Sequence, residues 1–201
     1  MVNKNRAIFF DRDGVLNKNY YYQKFNQYEA PLYLNDLKID KNIKILRELQ
    51  KKYLLFVITN QPAAAKKKTS IEELKKIKKK FLKTLKNKKI YLKRYLQCFN
   101  DKSNTYNFCK NIKYCKFYKK KINKDICKKP SNFLIEYCLK KYKIDNKNSW
   151  FIGDRETDMS AAKKSNLNLI LISKNNTVKK NQKYHSNSIK NLKNITKLWT
   201  N

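Results

Sequence analysis

At 201 residues the chain has the length of one domain and enough material to bury a substantial core. Its 49 Lys and Arg against 15 Asp and Glu give a formal charge of +34, a balance that ordinarily points to nucleic acid or an anionic membrane. Only five of those bases are Arg (Arg6, Arg12, Arg47, Arg94 and Arg155), and Lys runs through nearly every segment, which argues against a shaped nucleic-acid surface and leaves non-specific binding at low salt.

In chain order, Met1 to Arg6 leads straight into Ala7–Phe10, an apolar run of strand length rather than a signal-peptide core, and no run approaches the roughly 18 apolar residues that span a bilayer. No membrane partner and a cytoplasmic location are expected. Tyr20–Tyr22 reads as packing or as a pocket mouth. Asp40 to Lys51 has helical spacing through Ile43, Leu46 and Leu49, and Leu54–Thr59 is a second strand. Ser70 to Leu85 is a longer helix with Leu74, Ile77, Phe81 and Leu85 on one face, and Ser70 with Glu73 forms a capping-box pattern. Phe99 to Lys128 is polar, rich in Tyr and Lys, and lacks either hydrophobic period, so it reads as a long loop that requires an explanation. Ser131 to Lys141 is helical behind Pro130, and Trp150–Gly153 and Leu167–Ile172 are further strands. The tail is basic, with a short helix near Ile189 to Trp199 that docks through Leu192, Ile195 and Trp199, while His185 reads as a surface residue.

Strands alternating with helices define an α/β class: a Rossmann-like three-layer sandwich around a mainly parallel sheet. The expected division is one domain over residues 1–175 and a basic tail over 176–201. Sheets of this class bind ligands at the carboxyl ends of their strands, where the polar clusters of this sequence fall.

The strongest cluster is Asp11-Arg12-Asp13-Gly14-Val15-Leu16-Asn17, two carboxylates one residue apart directly after a strand. Such a pair can hold Mg²⁺ and divide nucleophilic from acid-base work. Thr59 and Asn60 end the second strand, Lys128 and Lys129 stand before a helix, and Gly153-Asp154-Arg155-Glu156-Thr157-Asp158 ends another strand. The only two glycines, Gly14 and Gly153, both adjoin acidic clusters, which marks them as backbone positions that tolerate little else. Five cysteines (Cys98, Cys109, Cys115, Cys127 and Cys138) read as thiols or metal ligands rather than as a disulfide framework, with Cys138 in the core.

These four segments, in this order, resemble the motifs of haloacid-dehalogenase-superfamily phosphatases, in the branch containing heptose-1,7-bisphosphate and histidinol-phosphate phosphatases. The resemblance runs from about Ile8 to Ser173. It implies a phosphoric monoester hydrolase with Asp11 as nucleophile, Asp13 as acid and base, and Mg²⁺ held by Asp11, the Asp13 main-chain carbonyl and Asp154. It also implies that Thr59, Asn60 and Lys129 contact the transferring phosphate, that Lys128 attracts substrate, and that Asp158 orients its neighbours. The branch carries a structural Zn²⁺ site whose ligand positions fall here on Cys98, Asn100, Asp125 and Cys127. With two of those lost, Cys109 and Cys115 are candidate replacements for a set of Cys98, Cys109, Cys115 and Cys127, against a plain reading as buried thiols.

The resemblance further implies a phosphorylated sugar substrate, foremost D-glycero-D-manno-heptose 1,7-bisphosphate converted to the 1-phosphate in lipopolysaccharide-heptose synthesis. The alternatives are a histidinol-phosphate or broad sugar-phosphate phosphatase, or a basic nucleic-acid-associated protein using the fold without catalysis. Gln61-Pro62-Ala63-Ala64-Ala65 replaces a glycine-containing substrate segment, and Lys128 replaces an Arg, so the substrate contacts differ from the branch pattern. Neither a large cap domain nor an oligomer is expected.

Overall fold

The computed structural model describes residues 5–99, 127–172, 187–189 and 191–198. Six strands form one sheet: β1 (Ala7–Phe10), β4 (Leu54–Asn60), β5 (Arg94–Cys98), β6 (Trp150–Gly153), β7 (Asn168–Ile172) and β8 (Asn187–Ile189). Their order is β5-β4-β1-β6-β7-β8 and every pairing is parallel. The four residues of β1 are fully buried, as a strand covered on both faces requires.

Side-chain alternation divides the core into two layers. Ile8 and Phe10 face α2 (Ile71–Asn87), α1 (Leu46–Leu49) and the 3₁₀ turns Lys41–Ile45 and Leu192–Leu198. Ala7 and Phe9 face α3 (Phe133–Lys141) and α4 (Glu156–Lys164), packing with Leu134, Ile135, Met159 and Ala162. Helix α2 is the clearest product of its sequence. Ser70 caps it by accepting from Glu73 N at 3.0 Å, and its helix-spaced Leu74, Ile77, Phe81 and Leu85 are all buried. The capping box closes on one side only, because Glu73 Oε1 accepts from Leu34 N at 2.8 Å instead of turning back.

Two expectations change. The helix expected over Asp40 to Lys51 is a 3₁₀ segment followed by the single turn α1, with Asp40 accepting from Asn42 N at its start. The domain boundary expected at residue 175 falls too early: β8 pairs with β7, and Ile189, Leu192 and Ile195 are buried in the α2-side layer. Apolar side chains at 189, 192 and 195 bury themselves despite the basic surroundings. Trp199 lies outside the described residues.

The sequence reading also passed over a hairpin of β2 (Tyr20–Tyr22) and β3 (Gln27–Glu29), turned through Asn26 at φ 47°. Between β1 and β4 the structure has only this hairpin and short helical turns, so no large cap interrupts the fold there. Among the described residues no helix is long and apolar enough to cross a membrane.

Candidate active site

β1 is the strand at which the topology turns: the chain passes to β4 and β5 on one side, then returns across β1 to β6, β7 and β8 on the other. Crevices form at the carboxyl ends of strands at such a point, and Asp11 is the first residue beyond β1. Its N–H donates to Ile152 O at 2.9 Å, fixing it between the two halves. The chain then folds tightly, Leu16 N and Asn17 N both donating to Arg12 O and Gly14 N to Asn17 O.

Gly14 has φ +83°, and a Cβ there would lie 1.9 Å from Asp154 Oδ2. A Cβ at Gly153 would lie 2.4 Å from Asp158 Cβ. Gly14 thus lets the acidic ends of β1 and β6 meet, and Gly153 lets Asp158 fold back onto the β6 turn, at distances no side chain allows.

Lys129 is the hub of the charges. Its ammonium donates to Asp11 Oδ1 at 2.7 Å and to the Ile58 carbonyl at 2.8 Å, and pairs with Asp158 Oδ1 at 2.6 Å. Asn60 clamps its backbone from both sides, donating to Lys129 O at 3.1 Å and accepting from Lys129 N at 3.0 Å. The following Lys129–Pro130 peptide is cis. Asp158 accepts at Oδ2 from the N–H groups of Asp154 and Arg155, so it orients the β6 turn.

Burial pushes the Asp11 carboxyl up to about 8 against the pull of Lys129, with Asp158, Asp13 and Asp154 adding repulsion. Burial and Asp158 push Asp154 up to about 6. Burial alone would lower Lys129, but Asp11 and Asp158 outweigh it and hold the ammonium above its usual range.

Carboxylates crowded in this way fit a dication. Ligand atoms of Asp11, Asp154 and Asp158 lie within 4.8 Å of one another, and the buried Asp154 Oδ1 has no hydrogen-bond partner among the described residues. Both oxygens of Asp158 already meet donors, whereas Asp11 and Asp154 keep carboxylate oxygens that could hold a dication.

The zinc expectation meets a different arrangement. Cys98 and Cys127, with Cα atoms 5.7 Å apart, form a disulfide buried in the apolar α3-side layer, so neither is a thiolate ligand and the expectation of thiols rather than a disulfide fails for this pair. The physical reason is placement: the end of β5 and the approach to Lys129 set the two sulfurs side by side in that layer. Cys109, Cys115, Asn100 and Asp125 lie outside the described residues. Cys138 is buried and free, as expected of a core cysteine, with its thiol pushed by burial up to about 12.

The site opens into a cavity of about 580 Å³. Asp11, Asp13, Asn60, Lys128 and Lys129 line it together with Asp158. Thr59 stands behind Asp13, to which its hydroxyl donates at 3.3 Å, and is fully buried rather than part of the cavity wall.

Sequence reasoning missed Gln61, which donates to Asp13 Oδ2 and Thr59 Oγ1, and the cations Lys66 and Arg155 on the wall. It assigned no role to β3, whose Gln27, Tyr28 and Glu29 also border the cavity. The signals available were the position of Gln61 directly after Asn60, and Asn26, a residue suited to a left-handed turn between two aromatic runs.

A parallel sheet with paired carboxylates, a buried lysine and a dication-shaped acidic cluster at its switch point is the apparatus of a phosphoryl-transfer enzyme. A HAD-hydrolase-like family model matches residues 126–196. The D-glycero-beta-D-manno-heptose-1,7-bisphosphate 7-phosphatase of Helicobacter pylori is 30% identical over 178 residues, covering 85% of this chain and 86% of that protein. The D-glycero-alpha-D-manno-heptose-1,7-bisphosphate 7-phosphatase of Photorhabdus laumondii is 29% identical over 167 residues, 82% of this chain and 80% of its own. Among solved structures, D,D-heptose 1,7-bisphosphate phosphatase from B. bronchiseptica, complexed with magnesium and phosphate, superposes with a TM-score of 0.72 at 16% identity, covering 96% of this chain and 97% of that one. The chain belongs to the haloacid-dehalogenase-like phosphatases, and is a phosphoric monoester hydrolase.

Proposed function

We propose that the protein releases the C7 phosphate of D-glycero-D-manno-heptose 1,7-bisphosphate through a covalent intermediate on Asp11, leaving the 1-phosphate for lipopolysaccharide-heptose synthesis. The observation that carries this reading is the 2.7 Å contact between Asp11 and Lys129 in a cavity that also presents Lys66, Lys128 and Arg155. One phosphate of a bisphosphate reaches the carboxylate while the other meets these cations. The relatives in Photorhabdus laumondii and Helicobacter pylori, both heptose-1,7-bisphosphate 7-phosphatases, support the same choice.

An Asp11 oxygen attacks phosphorus in line, forming an acyl phosphate as the bond to the sugar oxygen breaks. Asp13 gives a proton to the departing oxygen, then takes one from the water that cleaves the aspartyl phosphate, releasing inorganic phosphate and restoring both carboxyls. Lys129 spends its three contacts on Asp11, Asp158 and Ile58 O, so its task is to balance the Asp11 charge and fix its orientation. Asp11, Asp154 and the Asp13 main-chain carbonyl would hold Mg²⁺, which when bound neutralises charge on the phosphoryl oxygens.

The test is phosphate release from heptose 1,7-bisphosphate, histidinol phosphate and simple sugar phosphates, with and without Mg²⁺, in wild type and Asp11→Asn. Mg²⁺-dependent release selective for the bisphosphate and lost in the variant is the expected result. Preference for histidinol phosphate replaces the substrate. No release from any compound, with salt-sensitive RNA binding that survives Asp11→Asn, returns the chain to the nucleic-acid reading.

A further inference from the structure

Arg12 is the largest fully buried side chain among the described residues, and the chemistry above leaves it without a task. Burying a guanidinium costs several kcal/mol unless it is paired and its donors are satisfied. Here Nε donates to Asp13 Oδ1 at 2.9 Å and Nη2 to Asp13 Oδ2 at 3.0 Å, a bidentate fork, while Nη1 donates to Tyr95 Oη at 3.0 Å. Tyr95 is anchored in turn by α2, its ring 5.9 Å from that of Phe81 and 5.0 Å from the Lys78 ammonium. From its other sides Asp13 accepts from Asn17 Nδ2 at 3.1 Å, from Thr59 and from Gln61.

We propose that Arg12, backed by Tyr95, is a positioning residue that locks the Asp13 carboxyl in the orientation needed for proton transfer to the leaving oxygen. A fork grips a carboxylate in a single plane, whereas a lone donor lets it rotate, and proton transfer loses efficiency steeply with misalignment. Arg12 meets neither the phosphorus nor the departing sugar oxygen in this scheme; it acts through Asp13. The inference rests on Asp13 being the acid, as proposed above, and is independent of which sugar is the substrate.

The experiment measures kcat and KM for phosphate monoesters ranging from alkyl phosphates to p-nitrophenyl phosphate, whose leaving group departs without a proton. Wild type, Asp13→Asn, Arg12→Lys, Arg12→Gln and Tyr95→Phe are compared. General-acid assistance is worth about 10²- to 10⁴-fold. Arg12→Gln is expected to lower kcat on alkyl phosphates about 100-fold at nearly constant KM, Tyr95→Phe about threefold to tenfold, and both much less on p-nitrophenyl phosphate. Arg12→Lys recovers part of the loss. Tyr95→Phe keeps the ring packing, so it carries the test if the Arg12 variants fold poorly.

Equal losses across all leaving groups would make Arg12 a packing residue and overturn the inference. So would full alkyl-phosphate activity in Tyr95→Phe together with Arg12→Gln. If Asp13→Asn itself is indifferent to the leaving group, the acid assignment falls and this inference falls with it. Failure of the heptose selectivity alone leaves these comparisons unaffected.

Discussion

The acidic ends of β1 and β6 carry the same elements, a glycine and two carboxylates, and use them through different donors. At β1 the second carboxylate, Asp13, is held by side chains: Arg12, Asn17, Thr59 and Gln61. At β6 the second carboxylate, Asp158, is held by two backbone N–H groups and by Lys129. In each case one carboxylate is tied down and the other, Asp11 or Asp154, faces the dication-shaped gap. The β1 set gathers its donors from the turn after β1 and the end of β4, whereas the β6 set is built into the β6 turn itself, with Lys129 added. In the proposed scheme the β1 end carries the proton transfer and the β6 end is fixed scaffolding.

The comparison breaks most completely at Asp11. Asp11→Asn removes the proposed nucleophile and is expected to lower kcat at least about 10⁴-fold, whereas a β6-end scaffold can be altered at lower cost. Gly14→Ala would drive a Cβ into Asp154 and force a side chain to φ +83°; a loss of about 3 kcal/mol, read from urea unfolding, is expected. Asp158→Asn keeps its shape but loses the charge facing Lys129, and the expected result is a 10- to 100-fold fall in activity or in Mg²⁺ affinity. A fall as deep as that of Asp11→Asn would erase the distinction between the two ends.

The smallest effect is on the pH dependence of the metal-free protein. Asp11 and Asp154 are raised by burial to about 8 and about 6. Between the ordinary carboxylate range and those values the folded state binds more protons than the unfolded state. This contribution to stability is therefore present at low pH and is lost as pH rises through the folded pKa values. In the proposed site Mg²⁺ would bind the ionised pair, so its addition is expected to raise Tm more at about pH 8.5 than at about pH 5, measured by scanning calorimetry. A metal-induced shift independent of pH would remove Asp11 and Asp154 from the metal site.

Much of this was legible from the residues. β1 and β6 read correctly because four-residue apolar runs buried on both faces have few other uses, and the two glycines of a glycine-poor chain stand where a side chain would collide, as their place beside the acidic clusters suggested. What escaped depends on tertiary placement. A buried Arg12 looks like any other base in a chain of 49, and its partner Tyr95 lies 83 residues away. β5 offers only Leu96 between polar neighbours as a signal, and β8 only Ile189; each is a strand because a neighbour supplies the ladder. The disulfide was beyond reach for a related reason: Cys98 and Cys127 are 29 residues apart, and only β5 and the approach to Lys129 bring them together.

β8 has a consequence for how the molecule is made. The edge of β7 is covered only when residues 187–189 arrive, and Ile195 closes the α2-side layer later still. During synthesis, a chain that has emerged only as far as Ile172 carries an unpaired edge beside exposed Ile170 and Ile172, the surface on which nascent chains associate. The excess of Lys and Arg, +34 over the full chain, sets such chains against one another by repulsion, so their association is expected to rise with added salt.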